Sequence, residues 1–244
     1  MNRKIVLITG ASRGIGKACA HAFAKHGYSL AITCQTSEKE LLELASELEA
    51  QYNISCLPLV GDIGDPNYVD TLFAEIKLRY RRLDILVNNA GISHVGLLQD
   101  ISLEEWNHIL NTNVTSAFLC CQAAILMMLK QSSGSIINVS SVWGNIGASC
   151  EVAYSTSKGA LNSLTKALGK ELAPSGIRVN AVALGAIETT MNQFLSPDER
   201  LALEQDIPLG RFGSALEAAA LIVDLATNHS YLTAQVVTMD GGGL

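Results

Sequence analysis

The chain has 244 residues, of which 48% are hydrophobic and only 16% are charged. This length can bury one sizeable core, and the low charge suits a sheet that is covered on both faces. The net charge of -6, without any basic run, argues against nucleic acid or an anionic membrane as a partner. No apolar run reaches the length of a membrane span. The six cysteines lack C-x-x-C spacing, which predicts reduced thiols, a cytoplasmic location and no metal site.

A glycine-rich turn follows the first apolar run of the chain. Residues 4–9 predict a buried strand, and residues 17–26 predict an amphipathic helix. Glycines at positions 10, 14 and 16 lie between them, where a strand-to-helix turn can bring backbone N–H groups to a pyrophosphate. The alternative is an ordinary strand–helix turn. The sequence therefore predicts a dinucleotide-binding turn at Gly10, Gly14 and Gly16.

The end of the second predicted strand, residues 28–33, indicates which dinucleotide binds. An NAD site places an acidic residue there to hold the ribose 2′-hydroxyl, but residues 33–37 contain no acid. Arg13 lies in the glycine turn, where its guanidinium can meet a 2′-phosphate. Both features favour NADP(H), with a solvated loop charge as the alternative for Arg13.

Strands and helices alternate through the rest of the chain. The predicted strands are 55–60, 84–87, 135–139, 177–182 and 235–239; the predicted helices are 37–52, 66–80, 102–111, 112–130, 154–173, 198–206 and 214–227. This alternation predicts an α/β fold with a doubly wound parallel sheet and helices on both faces. Asparagines at 111 and 113 predict a break in the helical region. The long connection 185–212 predicts a lid over a substrate.

A tyrosine and a lysine lie four residues apart at Tyr154 and Lys158, and so share one face of a helix. A phenol with a pKa of ~10 exchanges protons poorly at neutral pH, and a nearby ammonium would lower that pKa. On its own the pair is more typical of an amphipathic turn with an exposed lysine.

Several motifs occur together and in order along the chain. They are Thr9-Gly10-x-x-x-Gly14-x-Gly16, Asn88-Asn89-Ala90-Gly91, Asn113, Ser141 and Tyr154-x-x-x-Lys158. This combination resembles the short-chain dehydrogenase/reductase family over essentially the whole chain. The resemblance implies a single Rossmann domain over residues 1–244, a seven-stranded sheet in the order 3-2-1-4-5-6-7, and a homotetramer formed through helices 112–130 and 152–173.

The resemblance also implies roles for individual residues. Tyr154 would donate a proton to the substrate carbonyl, Lys158 would lower the Tyr154 pKa and bind the nicotinamide ribose, Ser141 would polarise the carbonyl, and Asn113 would hold a water. Ser140 is the rival of Ser141, which is favoured by the family's thirteen-residue spacing to the tyrosine. The implied NADP(H) contacts are Gly10, Ser12, Arg13, Gly14, Ile15, Gly16, Asp62, Ile63, Asn88, Ala90, Tyr154, Lys158, Gly185, Ile187 and Thr189. For Asn88 a structural role is an equal alternative.

Within the family, Gly-Ala-Ser-Arg-Gly-Ile-Gly and residues 176–180 are most similar to 3-oxoacyl-[acyl-carrier-protein] reductases. The first function predicted is therefore NADPH-dependent reduction of a carrier-bound 3-oxoacyl group. The segment from Trp143 to Glu151 instead resembles reductases of a 5-aminopentanone group on a lysine of elongation factor P. In that alternative Glu151 would receive a substrate ammonium, although a helix N-terminal acid is its structural alternative. A non-catalytic NADP(H) sensor is a remote third hypothesis.

Overall fold

The computed structural model describes residues 3–192 and 195–243, which include all of the predicted lid except residues 193–194. The strands are β1 Ile5–Thr9, β2 Ser29–Cys34, β3 Cys56–Val60, β4 Ile85–Asn88, β5 Gly134–Ser141, β6 Ile177–Leu184, β7 Ile187–Glu188, β8 Gly213–Ser214 and β9 Val236–Met239. The α-helices are α1 Gly14–Lys25, α2 Glu38–Tyr52, α3 Pro66–Tyr80, α4 Leu103–Leu110, α5 Ser116–Gln131, α6 Trp143–Ile146, α7 Val152–Leu172, α8 Pro197–Asp206 and α9 Ala215–Thr227. The shorter turns are 3-10 helices at Leu98–Asp100, Ala173–Ser175 and Thr190–Asn192, and a π-helix at Asn111–Thr115.

Seven parallel strands form the main sheet in the order β3-β2-β1-β4-β5-β6-β9. Because β9 is the seventh strand of this sheet along the chain, the predicted order 3-2-1-4-5-6-7 is confirmed. The separate pair β7-β8 was not predicted, since two residues in each strand carry no readable pattern. The strand order reverses between β1 and β4, and ligands of such sheets bind at the carboxyl ends of the strands beside this point.

Alternate residues of the strands pack into two helical layers, as β1 illustrates. Val6 and Ile8 pack with α1, α2 and α9, whereas Ile5 and Leu7 pack with α3 and α5. All five residues of β1 are buried, as expected for a parallel strand covered on both sides. The prediction of helices on both faces is confirmed.

The helix boundaries show where the sequence pattern is weakest. Helix α1 begins at Gly14 rather than Lys17, because the glycines that lower helix propensity are required by the turn. Helix α7 begins at Val152, two residues before Tyr154, and the four-residue α6 was not predicted. The predicted break is confirmed as the π-helix between α4 and α5.

The continuous helical region Leu103–Gln131 is long and apolar enough to cross a membrane by length and composition alone, contrary to the expectation from the sequence. Cys120, Ala124 and Met128 on its inner side are nevertheless fully buried against the sheet, so it is a core helix. Phe118 and Leu126 on its other side are exposed. These exposed side chains suit the homotetramer contact, which remains a prediction.

Candidate active site

Two glycines of the turn, Gly10 and Gly16, leave no room for a side chain. A Cβ added at Gly10, whose φ is 65°, would lie 2.9 Å from Ala90 Cα, and one at Gly16 would lie 2.2 Å from Gly10 O. Asn89 Nδ2 secures the same turn by donating to Thr9 O at 2.9 Å and to Gly10 O at 3.0 Å. The turn after β1 and the turn after β4 therefore form one backbone-lined cradle.

The cradle fits the pyrophosphate of a dinucleotide. Arg13 occupies the N-cap position of α1 and makes no side-chain capping bond, so the first-turn N–H groups keep no side-chain acceptor there. A Cβ added at Gly14 would lie 3.5 Å from Thr189 Cγ2, so the loop after β6 faces the glycine turn. Ser12 is half-buried in the turn, and Ile15 packs onto the core below it. These residues would hold the cofactor by backbone donors and the helix dipole.

Arg13 lies near the end of β2, where an NADP site needs a cation. Burial raises the pKa of the Cys34 thiol at this strand end, and the positive charge of Arg13 opposes that rise. Arg13 itself is exposed and has no carboxylate partner among the ion pairs of residues 3–192 and 195–243. Its guanidinium is therefore free to meet a 2′-phosphate.

The remaining predicted cofactor residues lie at the same edge of the sheet. They differ in whether side-chain or only backbone atoms can contact a cofactor. Asp62 follows β3, and its Oδ1 accepts from Gly64 N at 2.8 Å. The side chains of Ile63 and Ile187 are buried in the two core layers, so only their backbone can contact a cofactor. Gly185 continues β6 by donating from its N–H to Met239 O at 3.0 Å.

The side chain of Asn88 has a structural role. Its side chain is buried and donates from Nδ2 to Asn138 Oδ1 at 2.9 Å and to Cys121 Sγ at 3.4 Å. Asn138 in turn donates to Thr165 Oγ1 at 2.8 Å. The amide of Asn88 therefore joins β4 to β5, which is the structural alternative, and only its backbone remains for cofactor contact.

Tyr154 and Lys158 lie together on the first turns of α7, with Lys158 Nζ 5.5 Å from the centre of the Tyr154 ring. Lys158 is only 4% exposed, and its Nζ donates to Val139 O at 2.9 Å. Burial lowers its pKa to about 8. The lysine is therefore a core-anchored group and not the exposed residue of an ordinary amphipathic turn.

The expected fall in the Tyr154 pKa is not observed. Burial raises this pKa to about 12, the negative charge of Glu151 adds to the rise, and a hydrogen bond with the Ser141 side chain opposes it. Burial dominates, because removing water from a phenolate is unfavourable. The phenol is accordingly held protonated, which is the form a proton donor requires.

Asn113 links the catalytic helix to the turn after β4. Its Oδ1 accepts from Ile92 N at 2.8 Å, and its Nδ2 donates to Ile92 O at 2.8 Å and to Ser157 Oγ at 2.9 Å. A Cβ added at Gly91 would lie 3.3 Å from Asn113 Oδ1 and 3.4 Å from Lys158 Nζ. The π-helix thus places the asparagine beside the lysine, as its predicted role requires.

The two adjacent serines at the end of β5 have different surroundings. Ser141 Oγ accepts from Trp143 N at 3.2 Å, and its side chain bonds to that of Tyr154. Ser140 Oγ instead donates to Lys158 O at 3.4 Å, away from the phenol. The geometry favours Ser141 as the residue that polarises a carbonyl.

Trp143 and Glu151 meet beside the phenol. Their side chains share a hydrogen bond, and burial raises the pKa of the Glu151 carboxyl. Glu151 lies at the N-cap position of α7 without a side-chain capping bond, so a helix N-terminal acid favoured by the dipole remains its structural alternative. Its negative charge also acts on Tyr154, so the carboxylate lies near the phenol.

Sequence reasoning missed Thr9 in the cradle and Ser157 in the catalytic network, and it left Asn89 open between a cofactor and a structural role. Thr9 Oγ1 accepts from Asn89 N at 3.0 Å and from Ala90 N at 2.9 Å, and Ser157 supports Asn113. Thr9 belongs to the first motif, but the spacing alone assigns it no contact. Among residues 3–192 and 195–243, no group of three or more His, Cys, Asp or Glu residues could hold a metal ion.

Comparison with known proteins defines the class of the protein. Residues 4–200 match the family model described as short chain dehydrogenase. The chain belongs to the short-chain dehydrogenase/reductase family, so it is an oxidoreductase of the kind that exchanges hydride between a nicotinamide cofactor and a carbonyl group.

Individual proteins that are similar to this chain over nearly its whole length have more specific names. The chain is 39% identical to "Uncharacterized oxidoreductase YmfI" of Bacillus subtilis over 98% of each chain. It is 40% identical to the 3-oxoacyl-[acyl-carrier-protein] reductase FabG of Aquifex aeolicus, over 98% of this chain and 96% of that one. A solved short-chain dehydrogenase/reductase from Mycobacterium marinum superposes with a TM-score of 0.92 at 38% identity, covering 98% and 95% of the two chains. The structure of YwfH, an NADPH-dependent reductase involved in bacilysin biosynthesis, has a TM-score of 0.94 at 27% identity, covering 99% and 98%.

Proposed function

We propose that the chain is an NADPH-dependent reductase of a ketone that carries a cationic amine. Among such ketones, the substrate that we propose is the 5-aminopentanone group on a lysine of elongation factor P. The observation that carries this proposal is the carboxylate of Glu151, hydrogen-bonded to Trp143 and close enough to Tyr154 to raise its pKa.

The residues of the chain account for the chemistry of reduction. NADPH supplies the hydride, and negative charge then develops on the carbonyl oxygen. Ser141 and Tyr154 are the donors available to that oxygen, and the raised pKa of Tyr154 keeps its proton in place until the oxygen becomes basic. Lys158 and Asn113 lie behind the phenol, where they support the return of a proton from solvent.

The choice of NADPH rests on Arg13. Its guanidinium lies near Cys34 at the end of β2, and residues 33–37 offer no carboxylate for a ribose 2′-hydroxyl. A 2′-phosphate would give this guanidinium a charged partner.

Glu151 separates the two substrate classes on electrostatic grounds. A carboxylate near Tyr154 opposes the negative charge that forms during reduction, which makes it a handicap with an uncharged ketone. A substrate ammonium would pair with the carboxylate and remove that handicap. A partly buried acid at this position therefore favours a cationic ketone.

A second candidate is reduction of 3-oxoacyl groups on acyl carrier protein, which was the first function predicted from the sequence. The name of the FabG relative at 40% identity over nearly its whole length supports it. The third hypothesis, a sensor without activity, is disfavoured because Tyr154, Lys158, Ser141 and Asn113 are all present and brought together.

An isosteric pair of ketones tests the proposal. In 5-(dimethylamino)pentan-2-one the amine is cationic and cannot cyclise onto the ketone, and 6-methylheptan-2-one replaces its nitrogen by carbon. We expect kcat/KM with NADPH to favour the amine by at least about tenfold, as expected for one ion pair in a partly dry site. Glu151→Gln should abolish this preference, whereas Glu171→Gln at the far, exposed end of α7 should retain it.

Two outcomes would overturn the aminoketone assignment. One is equal kcat/KM for the two ketones, and the other is a clear preference for acetoacetyl-CoA over both, which would establish the second candidate. In cells, mass spectrometry of elongation factor P from a deletion strain should find the modified lysine two hydrogens lighter, as the unreduced ketone. An unchanged modification would contradict the assignment.

A further inference from the structure

Two loops border the substrate side of the site. One comprises residues 92–97 after β4, and the other comprises residues 147–151 between α6 and α7. A backbone hydrogen bond joins them, from Gly96 N–H to Cys150 O at 2.7 Å. Glu151, which the proposed function makes the acid that selects substrate, directly follows Cys150 in the chain.

Cys150 has an unusual backbone conformation. Its φ is 63°, in the left-handed region that residues with a Cβ seldom adopt. Five non-glycine residues share this feature within residues 3–192 and 195–243, and three of them, Asn53, Arg81 and Ser132, end helices in the ordinary way. Cys150 ends no helix, so a different constraint must hold its conformation.

The contacts of the loop supply that constraint. Ala148 N donates to Ser155 Oγ at 3.1 Å, and Glu151 N donates to Ala148 O at 3.3 Å. These bonds fix the residues on either side of Cys150, and the bond from Gly96 fixes its carbonyl. Strained backbone that is held in place by several surrounding hydrogen bonds is typical of functional positions.

We propose that Cys150 is a positioning residue for substrate selection. Its left-handed backbone, latched by Gly96, sets the direction in which the chain enters α7 and thereby holds the Glu151 carboxylate beside Tyr154. The inference rests on the proposed function, because it assigns Glu151 to a cationic substrate. The Cys150 thiol has no part in it; the backbone conformation does the positioning.

The test uses substitutions that differ in their tolerance of positive φ. Cys150→Gly removes the side chain but favours the left-handed backbone, whereas Cys150→Val places a β-branched residue where it is least tolerated. The readout is the ratio of kcat/KM for 5-(dimethylamino)pentan-2-one over 6-methylheptan-2-one, with NADPH affinity and thermal unfolding measured in parallel. We expect Cys150→Gly to retain the ratio and Cys150→Val to lower it roughly tenfold through the KM of the amine. NADPH affinity and turnover of the neutral ketone should be unchanged.

Several results would overturn the inference. They are a retained ratio in Cys150→Val, and an equal loss for both ketones, which would indicate a merely structural role. If Cys150→Val does not fold, Gly96→Pro removes the N–H donor from the other loop and should lower the same ratio; a retained ratio there contradicts the latch. A wild-type ratio near one would instead refute the proposed function, so the two failures are distinguishable.

Discussion

The nucleotide side and the catalytic side of the carboxyl edge are built from different material. The nucleotide side consists of backbone: Gly10 and Gly16 approach the turn after β4 so closely that a Cβ would collide with it. The catalytic side consists of buried side chains, among them Asn113, Ser141 and Lys158. Substitutions that add atoms should therefore impair the nucleotide side, whereas substitutions that remove atoms should impair the catalytic side.

The largest expected effect is on the catalytic side. Tyr154→Phe removes only the phenolic oxygen, so the proton donor disappears while the ring and the cradle remain. We expect turnover to fall about 10²- to 10⁴-fold, the usual contribution of a positioned acid, with NADPH affinity nearly unchanged. Steady-state rates and NADPH fluorescence titration check this. A parallel loss of both quantities would mean that the two sides are not separable.

An added methyl group tests the nucleotide side. In Gly16→Ala the new Cβ would lie 2.2 Å from Gly10 O and 2.6 Å from Asn89 Nδ2, so the turn must open. We expect roughly a hundredfold loss of NADPH affinity, comparable to about 3 kcal/mol for overpacking. Gly159→Ala in α7 is the matched control, since its nearest contact is Gly144 O at 3.5 Å and alanine favours helix. Equal effects of the two substitutions would argue against the cradle.

A deleted amide tests the catalytic side for stability. Asn113→Leu would leave the N–H and carbonyl of the half-buried Ile92 without their side-chain partner and remove the buried bond to Ser157. We expect a loss of about 3 kcal/mol in the free energy of unfolding. Asn111→Leu, in the same π-helix, loses one bond of 3.4 Å to Gly64 O and should cost less than about 1 kcal/mol. Urea denaturation distinguishes these values, and similar losses would contradict the network.

The buried lysine predicts a pH dependence of stability. Burial lowers the Lys158 pKa from 10.5 to about 8, so between these values the unfolded chain binds more protons than the folded one. The contribution of Lys158 to stability should therefore rise with pH across this window, by at most about 3 kcal/mol, and its penalty should be complete below pH 8. Burial raises the pKa values of the Cys19, Cys56, Cys120 and Cys121 thiols, which gives the opposite slope above pH 9, so the quantity to measure is the difference in free energy of unfolding between the wild type and Lys158→Met at several pH values. A difference that does not change with pH would mean that the ammonium is not desolvated.

The smallest effect concerns the choice of cofactor. Arg13→Ala should lower kcat/KM with NADPH by about tenfold and leave that with NADH nearly unchanged, because only the 2′-phosphate contact is lost. Lys17→Ala, also exposed in the first turn of α1, is the control for general loss of positive charge. If both substitutions lower NADPH use equally, Arg13 makes no specific contact.

The sequence predicts the glycine turn of the nucleotide side well. Glycines at 10, 14 and 16 directly after an apolar strand have few explanations other than a close backbone turn. The sequence also predicted a site at Tyr154, Lys158 and Ser141, which the structure brings together. It could not predict that burial raises the Tyr154 pKa, since desolvation depends on the whole tertiary structure. The sequence left the structural and cofactor roles of Asn88 open, because the partners of its side chain, Asn138 and Cys121, are far away in the chain.

The homotetramer through helices 112–130 and 152–173, the lid at 185–212, the single-domain organisation and the cytoplasmic location remain predictions. The lid carries a capped helix, since Ser196 and Glu199 form a capping box at the start of α8. Arg200 in α8 also pairs with Glu188 in β7, which ties this helix to the loop that carries Thr189.

Hydride transfer to a ketone is the central claim, and an isotope experiment tests it directly. The purified chain would be incubated with NADPH deuterated at C4 of the nicotinamide and with 5-(dimethylamino)pentan-2-one, and the alcohol analysed by mass spectrometry. We predict deuterium at the carbinol carbon in the wild type and a loss of product of about 10²-fold or more in Tyr154→Phe. Absence of deuterated alcohol with this ketone, its carbon isostere and acetoacetyl-CoA would contradict the assignment as a carbonyl reductase.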